Sequence, residues 1–125
     1  MTLDSDLDSI RLNHLNTMKT AFVAGQYQET LEALKALGEL KAIRSGIRVE
    51  AVCIAARAHM ALGKKKEARQ LLQQVWEASL KNHRLYRHVA IACLELGEYR
   101  RAVSLVEKAA ELSDAAHAKQ AKPSQ

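Results

Sequence analysis

The chain is poor in the residues that bend a backbone or fill a bulky core: one Pro and five Gly, with one Trp, one Phe and three Tyr, in 125 residues. So few turn-formers leave few places for tight turns, and Ala, Leu, Glu, Lys, Arg and Gln dominate the rest, a helix-forming composition that reads as all-α. With so few aromatics, small side chains have to let helix backbones approach closely. Only two cysteines occur, Cys53 and Cys93, 40 residues apart and outside any CxxC pair. That excludes a disulfide framework and a zinc site, and makes reduced thiols in a cytoplasmic protein the expectation. No apolar run approaches the 18 residues of a membrane span, and the opening MTLDSDLDSI is acidic where a targeting peptide is basic. No membrane insertion is expected.

What the chain does have is a period. Residues 49–82 and 83–116 carry one pattern twice: Gly63 and Gly97 stand 34 residues apart, as do Leu62 and Leu96, Ala68 and Ala102, Ala56 and Ala90. A fixed period of that size marks an array of helical repeats. Upstream, Gly25-Gln26-Tyr27 echoes Gly97-Glu98-Tyr99, although Gly25 precedes Gly63 by 38 residues, about one helical turn more than the period. Residues 11–44 therefore read as a degenerate first copy, and residues 1–122 as one domain of three helix pairs with a disordered tail at 123–125.

Apolar spacing of three and four places the helices. The first spans 6–23, opened by a capping box of Ser5 with Asp8. A second runs from Tyr27 through Leu40 and breaks at Ser45-Gly46; the alternative is a break at Gly38 with a short extra helix from Glu39. A third spans 47–62 and is dense in Ala. The fourth spans 65–79, with Ala68, Leu71, Leu72, Val75 and Trp76 as its inner stripe. The fifth spans 85–96 and the sixth 99–112. The segment after Ser113 has no large apolar residue to dock and reads as a frayed extension, not as a seventh packed helix.

Gly two residues before Tyr, and Ala three residues after it, on a 34-residue helix pair resemble the tetratricopeptide repeat. The last copy matches best, through Tyr86, Val89, Ala90, Gly97, Tyr99, Ala102, Val106 and Ala109. The middle copy keeps Ala55, Ala56, Gly63, Ala68, Leu72 and Val75 with Lys65 in the Tyr place, and the first keeps Gly25, Tyr27, Leu34 and Leu37 with Thr30 where Ala is usual. The family's terminal Pro is absent, with Leu80 and Asp114 in its place. The resemblance implies a short right-handed superhelix whose first helices line a concave, partner-binding face. Transferred to this chain, that lining is Leu12, Leu15, Lys19, Phe22 and Val23, then Glu50, Cys53, Arg57 and Met60, then Arg84, Arg87, Ile91, Leu94 and Glu95. It is apolar at one end and basic at the other, which suits a protein segment with apolar anchors and an acidic flank. The Asn partners of a carboxylate clamp are missing beside Lys19, Arg57 and Arg87. Pentatricopeptide arrays share a similar period but read RNA in longer series.

Two further surfaces stand out. Lys64, Lys65 and Lys66 at one turn align with Arg100 and Arg101 after the next, forming a basic edge within a formal charge of +5. With little aromatic interleaving it reads as a solvated turn, and nucleic acid is not the expected partner. Val103, Val106 and Ala110 form an apolar stripe on the last helix with no repeat after it to cover them, a candidate oligomer face. The five histidines form no HExxH or ligand pair, no glycine-rich phosphate loop occurs, and neither an enzyme nor a cofactor is expected. The leading expectation is a non-enzymatic interaction module, adaptor or co-chaperone-like; the alternatives are a self-assembling scaffold or a chaperone of the helical-repeat type found in bacterial secretion.

Overall fold

Apolar and small residues at helical spacing fold into six α-helices, seen here in a computed structural model that describes the backbone of residues 3–38 and 43–120 and the side chains of 6–38 and 43–115. The helices are α1 (Leu3–Val23), α2 (Tyr27–Ala36), α3 (Ser45–Ala61), α4 (Lys65–Leu72), α5 (His83–Leu96) and α6 (Tyr99–Gln120). No strand occurs among the described residues. They pair as hairpins, α1 with α2, α3 with α4 and α5 with α6, and each hairpin rests on the next through α1 against α3, α2 against α3, α3 against α5 and α4 against α5.

The same turn closes each hairpin. At the last, Gly97 takes φ +93, the left-handed conformation that only glycine adopts without strain, so that its N–H reaches the Leu94 carbonyl (3.1 Å) and the Glu98 N–H the Cys93 carbonyl (2.9 Å). The matching pairs are Gly25 to Phe22 with Gln26 to Ala21, and Gly63 to Met60 with Lys64 to His59. Close helix approach follows from small residues. Ala68 and Ala102 are buried early in α4 and α6, and Thr30 takes the corresponding place in α2, where its hydroxyl donates to the Gln26 carbonyl at 2.8 Å. That local bond is why a polar residue is tolerated in a seam built for alanine.

The central helix α3 is buried nearly all round, as expected of a helix without a polar stripe. One face of α3 packs Ala51, Ile54 and Ala55 with Leu15, Met18, Ala33 and Leu37, and the other packs Val52, Cys53 and Ala56 with Leu72, Val89 and Leu96. The two cores thus share α3 as their common wall.

Several helix limits differ from the sequence expectations. Helix α1 begins at Leu3, so Ser5 lies within its first turn and is not its cap. Helix α2 stops before Gly38, whose φ of +90 ends it, while Ser45-Gly46 opens α3 instead of breaking α2. A short helix starting at Glu39 falls on 39–42, outside the described residues. Helix α4 ends at Leu72, not Ser79. Beyond it the N–H groups of Gln74, Val75 and Ala78 bond three residues back, and this tightening turns the chain so that both Val75 and Leu80 are buried. Helix α5 begins two residues early because Asn82, in extended conformation, accepts a hydrogen bond from the Leu85 N–H at 3.0 Å. Helix α6 runs on to Gln120, so the segment after Ser113 continues it.

The irregular stretch after α4 is pinned by Tyr86. Its buried hydroxyl accepts from the Leu80 N–H at 2.9 Å, satisfying a donor that no helix would. Tyr86→Phe should therefore cost about 1–3 kcal/mol by stranding that N–H, read as a lower urea midpoint with unchanged helicity.

Candidate functional site

The row of first helices, α1, α3 and α5, is cross-linked by charge. Glu50 on α3 is only 4% exposed and faces Lys19 Nζ of α1 at 2.8 Å, His88 Nε2 of α5 at 3.2 Å and Arg84 of α5 at 3.6 Å. Contact with the His88 imidazole is the largest influence on its carboxyl and, with Lys19, outweighs burial to lower the pKa from the ordinary 4.5 to about 2. About two turns further along, Arg57 of α3 makes a bidentate pair with Glu95 of α5, 2.9 Å at each nitrogen, and stacks over Phe22 of α1 at 4.7 Å. Phe22 in turn meets Tyr27 edge-on at 5.6 Å.

This arrangement redistributes the residues expected on the concave lining. Leu15 and Cys53 lie in the core and Met60 is packed against it, whereas Leu12 and Val23 are exposed. Lys19, Arg57 and Arg84 all face carboxylates of this same chain, and Arg87 lies 3.3 Å from the His83 ring. The Glu50 contacts and the His88 role went unread at the sequence level. The available signal was the one carboxylate of α3, on a helix otherwise apolar apart from Ser45, Arg48, Arg57 and His59, with Arg84 one repeat length after it.

The basic edge divides. Lys64, Lys65, Lys66 and Arg100 are exposed. Arg101 instead covers the half-buried Trp76 ring at 4.1 Å and pairs with Glu77 at 3.1 Å and Glu98 at 3.3 Å. Arg69 lies 2.7 Å from Glu98 and holds that carboxyl below the ordinary range. Trp76 thus joins the stretch after α4 to α6.

Ile91 and Leu94, from the expected concave lining, share one surface with Val103, Val106 and Ala110, from the expected oligomer face. Together with Tyr99 they line a groove of about 730 Å3 between α5 and α6, with Arg87, Glu107 and Asp114 at its edges. Val103 and Val106 are 59% and 54% exposed. The side chain that α6 buries is Leu105, between Ala102 and Ala109, and it was missed because the valines form an equally regular series.

Neither cysteine is placed for chemistry. Both are free and buried, and burial raises the Cys93 thiol to about 11 and Cys53 further still. His59 is half-buried, which lowers its pKa, and its Nδ1 has no partner. Among the described residues no three of His, Cys, Asp and Glu gather as a metal site, and no helix is long and apolar enough to cross a membrane. Comparison with family models, with curated proteins and with solved structures finds no match.

Two expectations follow. A carboxyl whose pKa is lowered on folding stabilises the fold above its unfolded value, and that stability disappears as pH falls through the folded one. The stability difference between the native chain and Glu50→Gln should therefore be largest near neutrality, up to about 3 kcal/mol, and close as pH falls from 4.5 to about 2, in urea titrations at stepped pH. For the thiols, an aromatic disulfide reagent at pH 8 should label neither cysteine until denaturant is added.

Proposed function

We propose that this chain is a non-enzymatic protein-interaction module of the tetratricopeptide-like, helical-repeat kind, and that its docking surface is the groove between α5 and α6. The observation that carries the reading is that one contiguous apolar surface, Ile91, Leu94, Tyr99, Val103 and Val106, is left open at the end of the stack. Exposed apolar patches of this kind mark interaction sites on soluble proteins.

The stack itself indicates what shape fits. Helix α3 lies against the α1–α2 hairpin and α5 against α3–α4. The hairpin α5–α6 offers the same kind of seat, so its occupant is an amphipathic helical surface with apolar residues at spacings of three and four. Burial of each valine is worth roughly 1.5–3 kcal/mol, so a few such contacts support micromolar binding after the cost of association. The alternative of an acidic segment held by the first-helix row has less to draw on, because Lys19, Arg57 and Arg84 already face Glu50 and Glu95. The adaptor and chaperone-like roles both follow from a helix-binding groove; no cofactor enters either.

A phage-displayed library of amphipathic helices tests this. Helices enriched on the pure protein should lose about tenfold or more in affinity with Val106→Glu, and none with Lys65→Glu on the basic edge. Absence of enrichment, or enrichment indifferent to Val106→Glu, contradicts the reading.

A further inference from the structure

The groove has features that select among helical partners. On α5 its residues follow the spacing Arg87, Ile91, Leu94, and on α6 the spacing Tyr99, Val103, Val106, Ala110. Steps of three and four in alternation are the 3.5-residue seam of helices that pack side by side at a shallow angle, as in four-helix bundles. Charge is divided between the two helices. The α5 edge carries Arg87; the α6 edge carries Glu107 and Asp114. Neither acidic residue makes an ion pair within the chain among the described residues.

The geometry points to a second copy of this chain as the occupant, seated about a two-fold axis parallel to α5 and α6; this rests on reading the α5–α6 groove as the docking surface. Such an axis sets α5 of each copy against α6 of the other. The two helices of a copy run antiparallel from the Gly97 turn, which puts Leu94 near the level of Tyr99 and Val103, Ile91 near Val103 and Val106, and Arg87 near Glu107 and Ala110. Across the axis the apolar residues therefore meet apolar residues, and Arg87 of one copy meets Glu107 of the other. The contact is isologous, so the Arg87–Glu107 pair forms twice. A partner of one charge sign would be matched on one edge and repelled on the other, whereas a second copy brings both signs in the required order.

The opposite end of the stack argues against growth from head to tail. Were α1 of another copy to sit on the groove, as α3 sits on α1–α2, it would have to present its outer side. Over two central turns that side is Asn13, Asn16, Thr17 and Thr20, all exposed, and three of these line a recess there with Gln26 and Glu29. Burying those amides and hydroxyls against Val103 and Val106 would leave them without hydrogen-bond partners. The outer side of α1 is mixed, with these polar groups standing between the exposed Ile10 and Val23, whereas the α5–α6 face is continuously apolar, which favours a closed dimer over a filament. In outline, α5 is about 21 Å long and two packed helices make a face about 20 Å across. That footprint is roughly 400 Å2, about half of what one partner contributes to a standard-size interface, which fits a small dimer populated in the micromolar range.

Sedimentation equilibrium of the full chain over about 1–100 μM tests the proposal. The native protein should sediment as a dimer, and Val106→Glu as a monomer with unchanged helicity. Val103→Glu, also at an exposed position, serves the same purpose should Val106→Glu lose helicity. Arg87→Glu and Glu107→Arg should each weaken the dimer about tenfold, and the double reversal should restore most of that loss. A native monomer throughout the range, a dimer unaffected by Val106→Glu and Val103→Glu, or charge reversals that do not rescue one another would overturn self-pairing. A native monomer that still binds displayed helices through Val106 would overturn the second copy as occupant and leave the docking groove in place.

Discussion

A single buried carboxylate organises the charged side of this molecule. Glu50 sits on the one helix that both cores share, and a carboxylate there is tolerable only because Lys19 and Arg84, cations from the helices on either side, reach it together with the His88 ring. The requirement runs both ways. Lys19 and Arg84 are held where they are by Glu50, and α1 and α5 are thereby tied to α3 in register. Arg57 repeats the device in reverse, a cation on α3 that takes Glu95 from one neighbour and the Phe22 ring from the other. Polar groups between stacked hairpins act here as pins that set how each first helix lies on the next.

That use of charge shapes the functional surfaces. Basic residues along the first helices would attract an acidic partner if they stood alone, but within the stack they mostly answer carboxylates of the same chain. Among the described residues, Lys64, Lys65 and Lys66 stand exposed together on one turn without an ion pair, a solvated edge. The apolar surface concentrates at one end, between α5 and α6. The two ends of the stack are unlike in continuity: α1 sets Asn13, Asn16, Thr17 and Thr20 between its exposed apolar residues, while α5 and α6 present Ile91, Leu94, Val103 and Val106 together, and this difference underlies both the docking groove and the self-pairing drawn from it.

The all-α class, the three hairpins and their glycine turns were legible in the sequence, because each rests on local rules: apolar spacing for the helices, a left-handed glycine for the turn, alanine where backbones meet. The open stripe of Val103 and Val106 was legible for the same reason. The sequence places the break at Ser45-Gly46 with Gly38 as the alternative, because a glycine can end a helix or sit in its first turn, and only the chain path shows that Gly38 ends α2 and Gly46 lies in α3. The end of α4 was hidden because Gln73, Gln74, Val75 and Trp76 keep helical periodicity. Burial of Leu80 and stacking of Trp76 under Arg101 override it, and both are long-range effects. The surroundings of Glu50 were out of reach for that reason too, as Lys19 and His88 lie 31 and 38 residues away along the chain.

The central claim is that first-helix charge is engaged inside the stack through Glu50, and the titration of that one carboxyl tests it most directly. In protein carrying 13C at glutamate carboxyl positions, the Glu50 signal, assigned by its loss in Glu50→Gln, should titrate near pH 2. Titration near 4.5, the ordinary value, would mean that Lys19, Arg84 and His88 do not hold it, and would contradict the account.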